Sequence, residues 1–244
     1  MMNLIVDVGN SRVKAVVVCG AEVVAESVAE KYSREWFEGI IAGYDVGRAI
    51  VASTRGDGED VAAMLRPMIP YVVVFTPSAT PTPLANHYHS KETLGADRLA
   101  AAVGAAALYP TSDIMIVDFG TAITIDYVVD GAFLGGNISP GVSTRFRALH
   151  EFTARLPLCS ATDDVLDYGR TTSEAIEQGV MRGVENEIRG YVEPFLREKG
   201  KKIAIFTGGD AKYFVKRIKN AIFADCEPVV YGLNRILEYN AELD

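Results

Sequence analysis

The chain has 244 residues, of which 49% are hydrophobic and 23% are charged, and its net charge is −8 at pH 7. This composition is typical of a globular protein with a buried core, and the length suits one large domain or two modest ones. The acidic balance argues against general nucleic-acid binding, because that function requires a basic surface that neutralises phosphates.

The cysteines, the histidines and the lengths of the apolar runs indicate in which cellular compartment the protein acts. Cys19, Cys159 and Cys226 are far apart and form no CxxC pair, so we interpret them as reduced thiols. The histidines do not join them in a metal-ligand pattern. Asp7 interrupts the first apolar run, and no run approaches the roughly 20 apolar residues of a membrane span. We therefore expect a cytoplasmic protein without a secretory leader or membrane association.

Strands and helices alternate along the first half of the chain. A hairpin is predicted over residues 4–18, because two β-rich apolar runs flank a glycine turn. Residues 76–86, rich in Pro and Thr, predict a surface loop. The other strands are predicted at 23–28, 48–51 and 71–75, and the helices at 34–42, 58–68 and 95–109.

Strands and helices also alternate along the second half of the chain. A second hairpin is predicted at 114–129, and residues 163–169 are predicted to form a polar loop. Alternating elements of this kind indicate an α/β protein. The other strands are predicted at 132–137 and 203–206, and the helices at 142–155, 172–198, 211–219 and 232–242.

The two hairpins resemble each other. LIVDVGNSRVKAVVV at 4–18 and IMIVDFGTAITIDYVV at 114–129 both place Asp-x-Gly before a second β-rich run, about 110 residues apart. Such an internal repeat predicts two related domains, which we place at residues 1–112 and 113–244.

Three glycine turns follow apolar strands, at residues 7–11, 118–121 and 207–209. Glycine lets backbone N–H groups approach a phosphate, and nearby carboxylates can hold hydrated Mg²⁺. One such turn favours a plain hairpin, whereas three in this order favour a nucleotide site. Neither a GxxxxGK[ST] loop nor a GxGxxG sequence after the first strand is present. The polar side chains in or near the first two turns are Asp7, Asn10, Ser11, Lys14, Asp118 and Thr121.

Two further blocks are candidates for binding a substrate. Asp97 falls at the start of the Ala-rich helix, where a carboxylate is favoured by free N–H groups. It is either a helix cap beside a solvated Arg98, or a catalytic base beside an Arg98 that holds an anionic substrate. Residues 135–141 contain three glycines and a proline. They form either a plain loop or a loop that brings the backbone close to a substrate.

Together these blocks resemble the type III pantothenate kinases, members of the acetate kinase, sugar kinase, Hsp70 and actin superfamily. The order and spacing match from Leu4 to about Gly232. The resemblance implies two actin-like, or ribonuclease H-like, domains with a nucleotide cleft between them. The matching blocks are DVGNSRVK at 7–14, Tyr88 with GADR at 95–98, DFGTAITID at 118–126, GGNISPG at 135–141, TTSEAI at 171–176 and TGGD at 207–210.

The resemblance also implies roles for individual residues. Asp97 would accept a proton, and Asp118 would bind the monovalent cation, K⁺ or NH₄⁺, that this class requires beside Mg²⁺. Thr172 would reach the substrate across a homodimer interface. The ATP-binding residues would be Asp7, Val8, Gly9, Asn10, Ser11, Arg12, Val13, Lys14 and Thr121. The pantothenate-binding residues would be Tyr88, Gly95, Ala96, Asp97, Arg98 and Thr172.

Three positions depart from the family pattern. Ser11 stands where the family usually has Thr, and Thr171 replaces the usual Asn. Residues 53–56, STRG, match the family's Ser-rich turn poorly, and the sequence assigns them no role.

The implied reaction moves the γ-phosphate of ATP to the primary hydroxyl of pantothenate, the first step toward coenzyme A. Two alternatives stay open: a kinase of the same fold that acts on another hydroxylated or acidic metabolite, and a nucleotide-binding regulator without catalysis. The oligomeric state is also open. Gly179 and Gly183 lie on one face of the long predicted helix, where they permit close packing either within one chain or between two chains. The resemblance favours the dimer.

Overall fold

The computed structural model describes residues 1–224 and 227–243, so Cys226 lies outside the described residues. Strands and helices alternate along most of the chain. The strands are β1 (Met2–Val8), β2 (Val13–Cys19), β3 (Glu22–Ala29), β4 (Val46–Ser53), β5 (Tyr71–Val74), β6 (Ala85–Asn86), β7 (Asp113–Phe119), β8 (Ala122–Val129), β9 (Ala132–Pro140), β10 (Lys202–Thr207) and β11 (Ala221–Phe223). The helices are α1 (Arg34–Ile41), α2 (Gly58–Leu65), α3 (Ala96–Leu108), α4 (Val142–Glu151), α5 (Thr172–Arg197), α6 (Ala211–Val215) and α7 (Pro228–Leu243).

Contacts divide the chain into two compact units. The first unit contains residues 1–110, 131–134 and 227–243, and the second contains residues 111–130 and 135–224. The sequence predicts a boundary at residues 112 and 113, with all later residues in one domain. The contacts instead group α7 with the N-terminal residues.

A glycine crossing explains why α7 belongs to the first unit. A Cβ atom on Gly232 of α7 would overlap the carbonyl of Ala100, and one on Gly104 of α3 would overlap the carbonyl of Pro228. The two helices therefore pack backbone against backbone. A hydrogen bond of 2.8 Å joins the amide of Asn3 in β1 to Asn234 in α7, and both side chains are buried.

The first unit is built on the sheet order β3-β2-β1-β4-β5. β1 is antiparallel to β2 and parallel to β4, which is parallel to β5. Leu4 and Val6 share a core with Phe37 of α1 and Leu65 of α2. α7 packs against β1 and β4, and Ile5, between the two core residues, is also buried. Burial on both faces accounts for the nearly continuous apolar run of β1.

The second sheet repeats this order as β9-β8-β7-β10-β11, with the short β6 beside β9. β7 is antiparallel to β8 and parallel to β10, as β1 is to β2 and β4. The repeated order confirms the predicted α/β class and the relationship between the two hairpins.

A few elements differ from the predictions. β6 and β11 contain two and three residues, too few for a periodic signal. α4 ends at Glu151, about four residues early, because the Thr153 hydroxyl donates to the carbonyl of Leu149 (2.7 Å) and accepts from the N–H of Leu156 (3.4 Å). α6 is shorter as well, ending at Val215.

The long helix α5 forms as predicted. Ile176, Val180, Val184 and Ile188 follow one another at four-residue spacing, and all four are buried. The exposed positions of α5 include Gly179, Arg182, Gly183 and Gly190. No helix within the described residues combines the length and apolar character needed to cross a membrane.

Candidate functional site

The first glycine turn closes the hairpin between β1 and β2. The N–H of Gly9 donates to the carbonyl of Arg12 (3.0 Å), which leaves Asn10 and Ser11 exposed at the tip. Val8 and Val13 flank the turn, but their side chains are fully buried in the core. These two predicted ATP-binding residues therefore offer only backbone groups to a ligand.

Lys14 lies beside Asp7, because the two residues are directly paired across β1 and β2. Its ammonium contacts the carboxylates of Glu227 (2.6 Å) and Glu26 (2.8 Å). Burial alone would lower the pKa of Lys14, but the hydrogen bonds and charges of Glu227 and Glu26 outweigh it and raise the pKa. Lys14 is therefore a fixed cation near the turn, already balanced by two carboxylates.

The predicted substrate block gathers around Tyr88. The guanidinium carbon of Arg98 lies 5.6 Å from the centre of the Tyr88 ring. The centres of the Tyr88 and Phe133 rings are 6.1 Å apart. The side-chain oxygen of Asn86 accepts from the N–H of Tyr88 (3.0 Å). Arg98 is only 6% exposed. It is therefore not the solvated neighbour of the cap interpretation, but a buried cation against an aromatic ring.

Asp97 is the second residue of α3, and Gly95 is the N-cap. Oδ1 of Asp97 accepts a hydrogen bond of 2.9 Å from the N–H of Arg98. A Cβ atom on Gly95 would lie 2.5 Å from Oδ1, so glycine leaves room for the carboxylate. Oδ2 of Asp97 accepts no hydrogen bond from residues 1–224 or 227–243. One oxygen thus supports the helix start, and the other remains available to a substrate.

The second glycine turn, at 118–121, is packed tightly against residues 135–141. The carbonyl of Thr121 accepts from the N–H of Gly141 (3.0 Å) and from the hydroxyl of Thr144 (2.7 Å). A Cβ atom on Gly141 would overlap the carbonyl of Gly120. The glycines of this block therefore serve close approach of one backbone to another, which holds the Thr121 turn in place.

The third glycine turn, at 207–209, also contacts the second glycine turn. Gly208 has φ 92°, and a Cβ atom there would overlap the carboxylate of Asp118 and the backbone of Phe119. The N–H of Asp210 donates to the carbonyl of Phe119 (3.4 Å), and burial raises the pKa of the Asp210 carboxyl. The three blocks at 118–121, 135–141 and 207–210 thus form one cluster in the second unit.

Thr172 begins α5, and Thr171, one of the departures from the family pattern, is the N-cap of this helix. The hydroxyl of Thr171 accepts from the N–H of Glu174 (3.2 Å), while the Glu174 carboxylate accepts from the N–H of Thr171 (3.1 Å). This is a capping box, which stabilises the helix start. Thr171 therefore has a structural role that positions Thr172.

A largely apolar cavity of about 590 Å³ lies between α4 and α5. Thr172 is part of its wall, so the predicted substrate-contacting threonine faces a space that another molecule can fill. Other wall residues include Pro140, Thr144, Leu149, Leu156 and Gly179.

Sequence patterns did not identify two residues that contact the glycine turns. Thr144 bonds to Thr121 from 23 residues away along the chain. Arg55 donates from Nε to the carbonyl of Gly9 (2.7 Å) across 46 residues. No local motif links residues at such separations. For Arg55 the one usable sequence signal was its place shortly after the strand predicted at 48–51.

Comparison with known proteins gives consistent results. A family model described as type III pantothenate kinase matches residues 3–194. The type III pantothenate kinase of Bacteroides fragilis is 42% identical over 240 residues, or 98% of each chain. A Campylobacter jejuni protein described as a conserved putative Baf family transcriptional activator aligns with a TM-score of 0.65 at 20% identity. The alignment covers 98% of this chain and 99% of the other. The Clostridium difficile activator of 2-hydroxyisocaproyl-CoA dehydratase aligns with a TM-score of 0.57 at 13% identity, covering 100% and 98%. The structural likenesses agree with the expected actin-like fold.

The cluster around Asp118 leads to a stability prediction. We expect Gly208→Ala to lower the free energy of unfolding by about 1–3 kcal/mol, because the methyl group overlaps Asp118 and the positive φ disfavours alanine. Gly209→Ala is the matched control, since a Cβ atom there meets nothing within 4 Å. Urea denaturation measures both changes. Equal stabilities of the two variants would contradict the close approach at Gly208.

Proposed function

The chain belongs to the type III pantothenate kinase family, and from this we propose that it transfers the γ-phosphate of ATP to the primary hydroxyl of pantothenate. The product is 4′-phosphopantothenate, the first intermediate on the route to coenzyme A. The observation that carries this proposal is 42% identity across nearly the whole chain to a kinase of that name. The enzyme is a kinase of the actin-like fold, and we propose that it acts in the cytoplasm.

The proposed chemistry depends on positioning and charge neutralisation, because phosphoryl transfer requires little covalent help from the protein. Asp97 is the proposed proton acceptor. Its Oδ1 is held by the N–H of Arg98, while Oδ2 is available to orient the pantothenate hydroxyl and take its proton late in the transfer. We assign Arg98, buried beside Tyr88, to the anionic end of pantothenate.

The ATP phosphates are assigned to the first glycine turn and to Thr121. Asn10 and Ser11 are exposed at the hairpin tip, where their backbone N–H groups and side chains can donate to phosphate. Glu26 and Glu227 engage two of the three N–H donors of the Lys14 ammonium and offset its charge, so Lys14 attracts a phosphate less strongly than an unpaired lysine. Mg²⁺ usually enters such sites with the nucleotide, held by one or two carboxylates and the phosphates. The carboxylate of Asp7, in the first glycine turn, fits that donor set.

The proton-acceptor assignment is tested by Asp97→Asn. Asparagine keeps the hydrogen bond to the N–H of Arg98, so the thermal midpoint should change little, while turnover should fall at least about a hundredfold with the loss of the base. The measurement is pantothenate-dependent release of ADP in a coupled assay. Glu92→Gln, an exposed acid just before α3, is the control. If the Asp97→Asn variant kept most of the wild-type turnover, Asp97 would only stabilise the start of α3, and the proton-acceptor assignment would be wrong.

The same assay separates the alternative functions. A kinase of another metabolite would release ADP with a different acceptor in a panel of hydroxylated and acidic compounds. A regulator without catalysis would bind ATP and release no ADP with any acceptor. The Campylobacter jejuni protein is linked to the regulator hypothesis only by its name, and at 20% identity the likeness shows the fold alone.

We propose Asp118 as a ligand of the monovalent cation. Its carboxylate lies against Gly208 of the third glycine turn, and carboxylate oxygens are among the ligands that a hard cation takes.

This assignment predicts higher turnover in K⁺ or NH₄⁺ than in Na⁺, and a smaller difference in Asp118→Asn. Steady-state rates at constant ionic strength measure both effects, with Mg²⁺ titrated separately because the variant could also alter its binding. Equal wild-type rates in K⁺ and Na⁺ would count against a dedicated monovalent site.

We also propose a homodimer in which Thr172 reaches the partner's substrate pocket. A Cβ atom on Gly179 or Gly183 of α5 would meet nothing within 4 Å, so this face does not pack closely within the described chain. The cavity beside Thr172 lies on the same part of α5. The segment between α4 and α5 exposes large apolar side chains, as an interface would: Phe152, Leu158, Val165, Leu166 and Tyr168.

The shared site can be tested by mixing two inactive proteins, Asp97→Asn and Thr172→Arg. If each site combines Asp97 of one subunit with Thr172 of the other, a mixed dimer has one site with both defects and one intact site. Random exchange makes half the dimers mixed and should restore about a quarter of wild-type turnover. No recovery after subunit exchange, verified with differently tagged chains, would show that both residues act within one chain.

A further inference from the structure

The segment after β4, to which the sequence assigns no role, is fastened to the first glycine turn. β1 and β4 are parallel, with Val8 opposite Ser53, so the residues that follow Ser53 emerge beside the turn. The N–H and the hydroxyl of Thr54 both donate to the carbonyl of Val8, at 3.0 and 3.2 Å. Nε of Arg55 donates to the carbonyl of Gly9 at 2.7 Å. Two successive carbonyls of the proposed phosphate-binding turn thus accept hydrogen bonds from this segment.

Arg55 is also positioned from the opposite side. Its N–H donates to the Ser53 hydroxyl (3.0 Å), which donates to Oδ1 of Asp57 (2.5 Å). Oδ2 of Asp57 accepts from the Tyr32 hydroxyl (2.9 Å). Burial would raise the pKa of Asp57, but the hydrogen bonds from Ser53 and Tyr32 outweigh it and hold the pKa below its ordinary value. Asp57 therefore stays ionised and fixes Ser53, which in turn fixes the backbone of Arg55.

The terminal Nη groups of Arg55 are not engaged within the described chain, although its charge helps to lower the pKa of Asp57. The residue is exposed, and its terminal Nη atoms make no hydrogen bond to residues 1–224 or 227–243. A guanidinium carries five N–H donors in a planar fork and remains charged at all relevant pH values. With Nε engaged by Gly9, both Nη groups remain available beside the turn.

We propose that Arg55 is a phosphate-binding residue, whose Nη groups donate to the phosphate chain of the nucleotide while Nε holds Gly9 in place. This inference rests on the proposed function, since it assumes that the first turn receives a nucleoside triphosphate. A guanidinium suits this task because its fork matches two phosphate oxygens and its charge offsets theirs. Its hydrogen bond to Gly9 orients the guanidinium before the ligand arrives, which reduces the entropy lost on binding.

The rival explanation is that Arg55 only braces the turn through Gly9. The two roles predict different effects of substitution. Arg55→Met removes both the brace and the charge, whereas Arg55→Lys removes the hydrogen bond geometry but keeps a cation near the phosphates. A phosphate contact is therefore partly restored by lysine, and a pure brace is not.

The experiment compares wild type, Arg55→Met, Arg55→Lys and the control Arg34→Met, an exposed arginine paired with Glu38 on α1. We expect Arg55→Met to raise the KM for ATP and the Kd for MgATP about tenfold, the value for losing one exposed charge-assisted contact. Arg55→Lys should recover part of this loss. The KM for pantothenate should stay within about twofold of wild type in every variant, and Arg34→Met should match wild type.

Three results would overturn the proposal: wild-type ATP affinity in Arg55→Met, equal losses in the Met and Lys variants, or an equal rise in the KM for pantothenate. Calorimetric titration of MgATP in the absence of pantothenate keeps this inference separate from the proposed function. If the wild type binds MgATP but phosphorylates no pantothenate, the substrate assignment fails while the Arg55 comparison remains decisive.

Discussion

Close packing of backbone against backbone at glycines is the constraint on which both units depend. In the first unit, Gly104 and Gly232 let α3 and α7 touch, which joins α7 to the unit formed by the N-terminal residues. In the second unit, Gly136, Gly141 and Gly208 approach the backbone or side chains of neighbouring segments so closely that no Cβ atom fits. Each of these contacts brings residues distant in sequence to the strand ends, where the proposed site residues lie.

In the proposed site, individual cations of the first unit rather than the net charge attract the anionic ligands. The net charge of −8 offers no general attraction for ATP or pantothenate. Instead, individual cations are held at defined positions: Lys14 by two carboxylates, Arg55 by the carbonyl of Gly9, and Arg98 against the ring of Tyr88. Such fixed charges favour one orientation of a ligand and require little rearrangement when it binds.

Much of the candidate site could be predicted because its signals are local. A glycine turn after an apolar strand, or an Asp at a helix start, is contained within about ten residues, and each occurs where the sequence predicts it. Arg55 and Thr144 could not be predicted in this way. Their contacts with Gly9 and Thr121 depend on which strand lies beside β1 and on where α4 begins after β9.

The α/β class, the repeated hairpin, the long helix α5 and the family follow from the amino-acid sequence alone, because periodic apolar patterns and motif order persist without any knowledge of contacts. The folded chain was needed to show that α7 belongs to the first unit, that Arg98 is buried, and that Lys14 is balanced by Glu26 and Glu227. The physical reason is that burial and ion pairing depend on segments that are far apart in the chain. The sequence places Gly232 in a predicted helix, but only the tertiary contacts reveal that it packs closely and that its neighbour is Ala100.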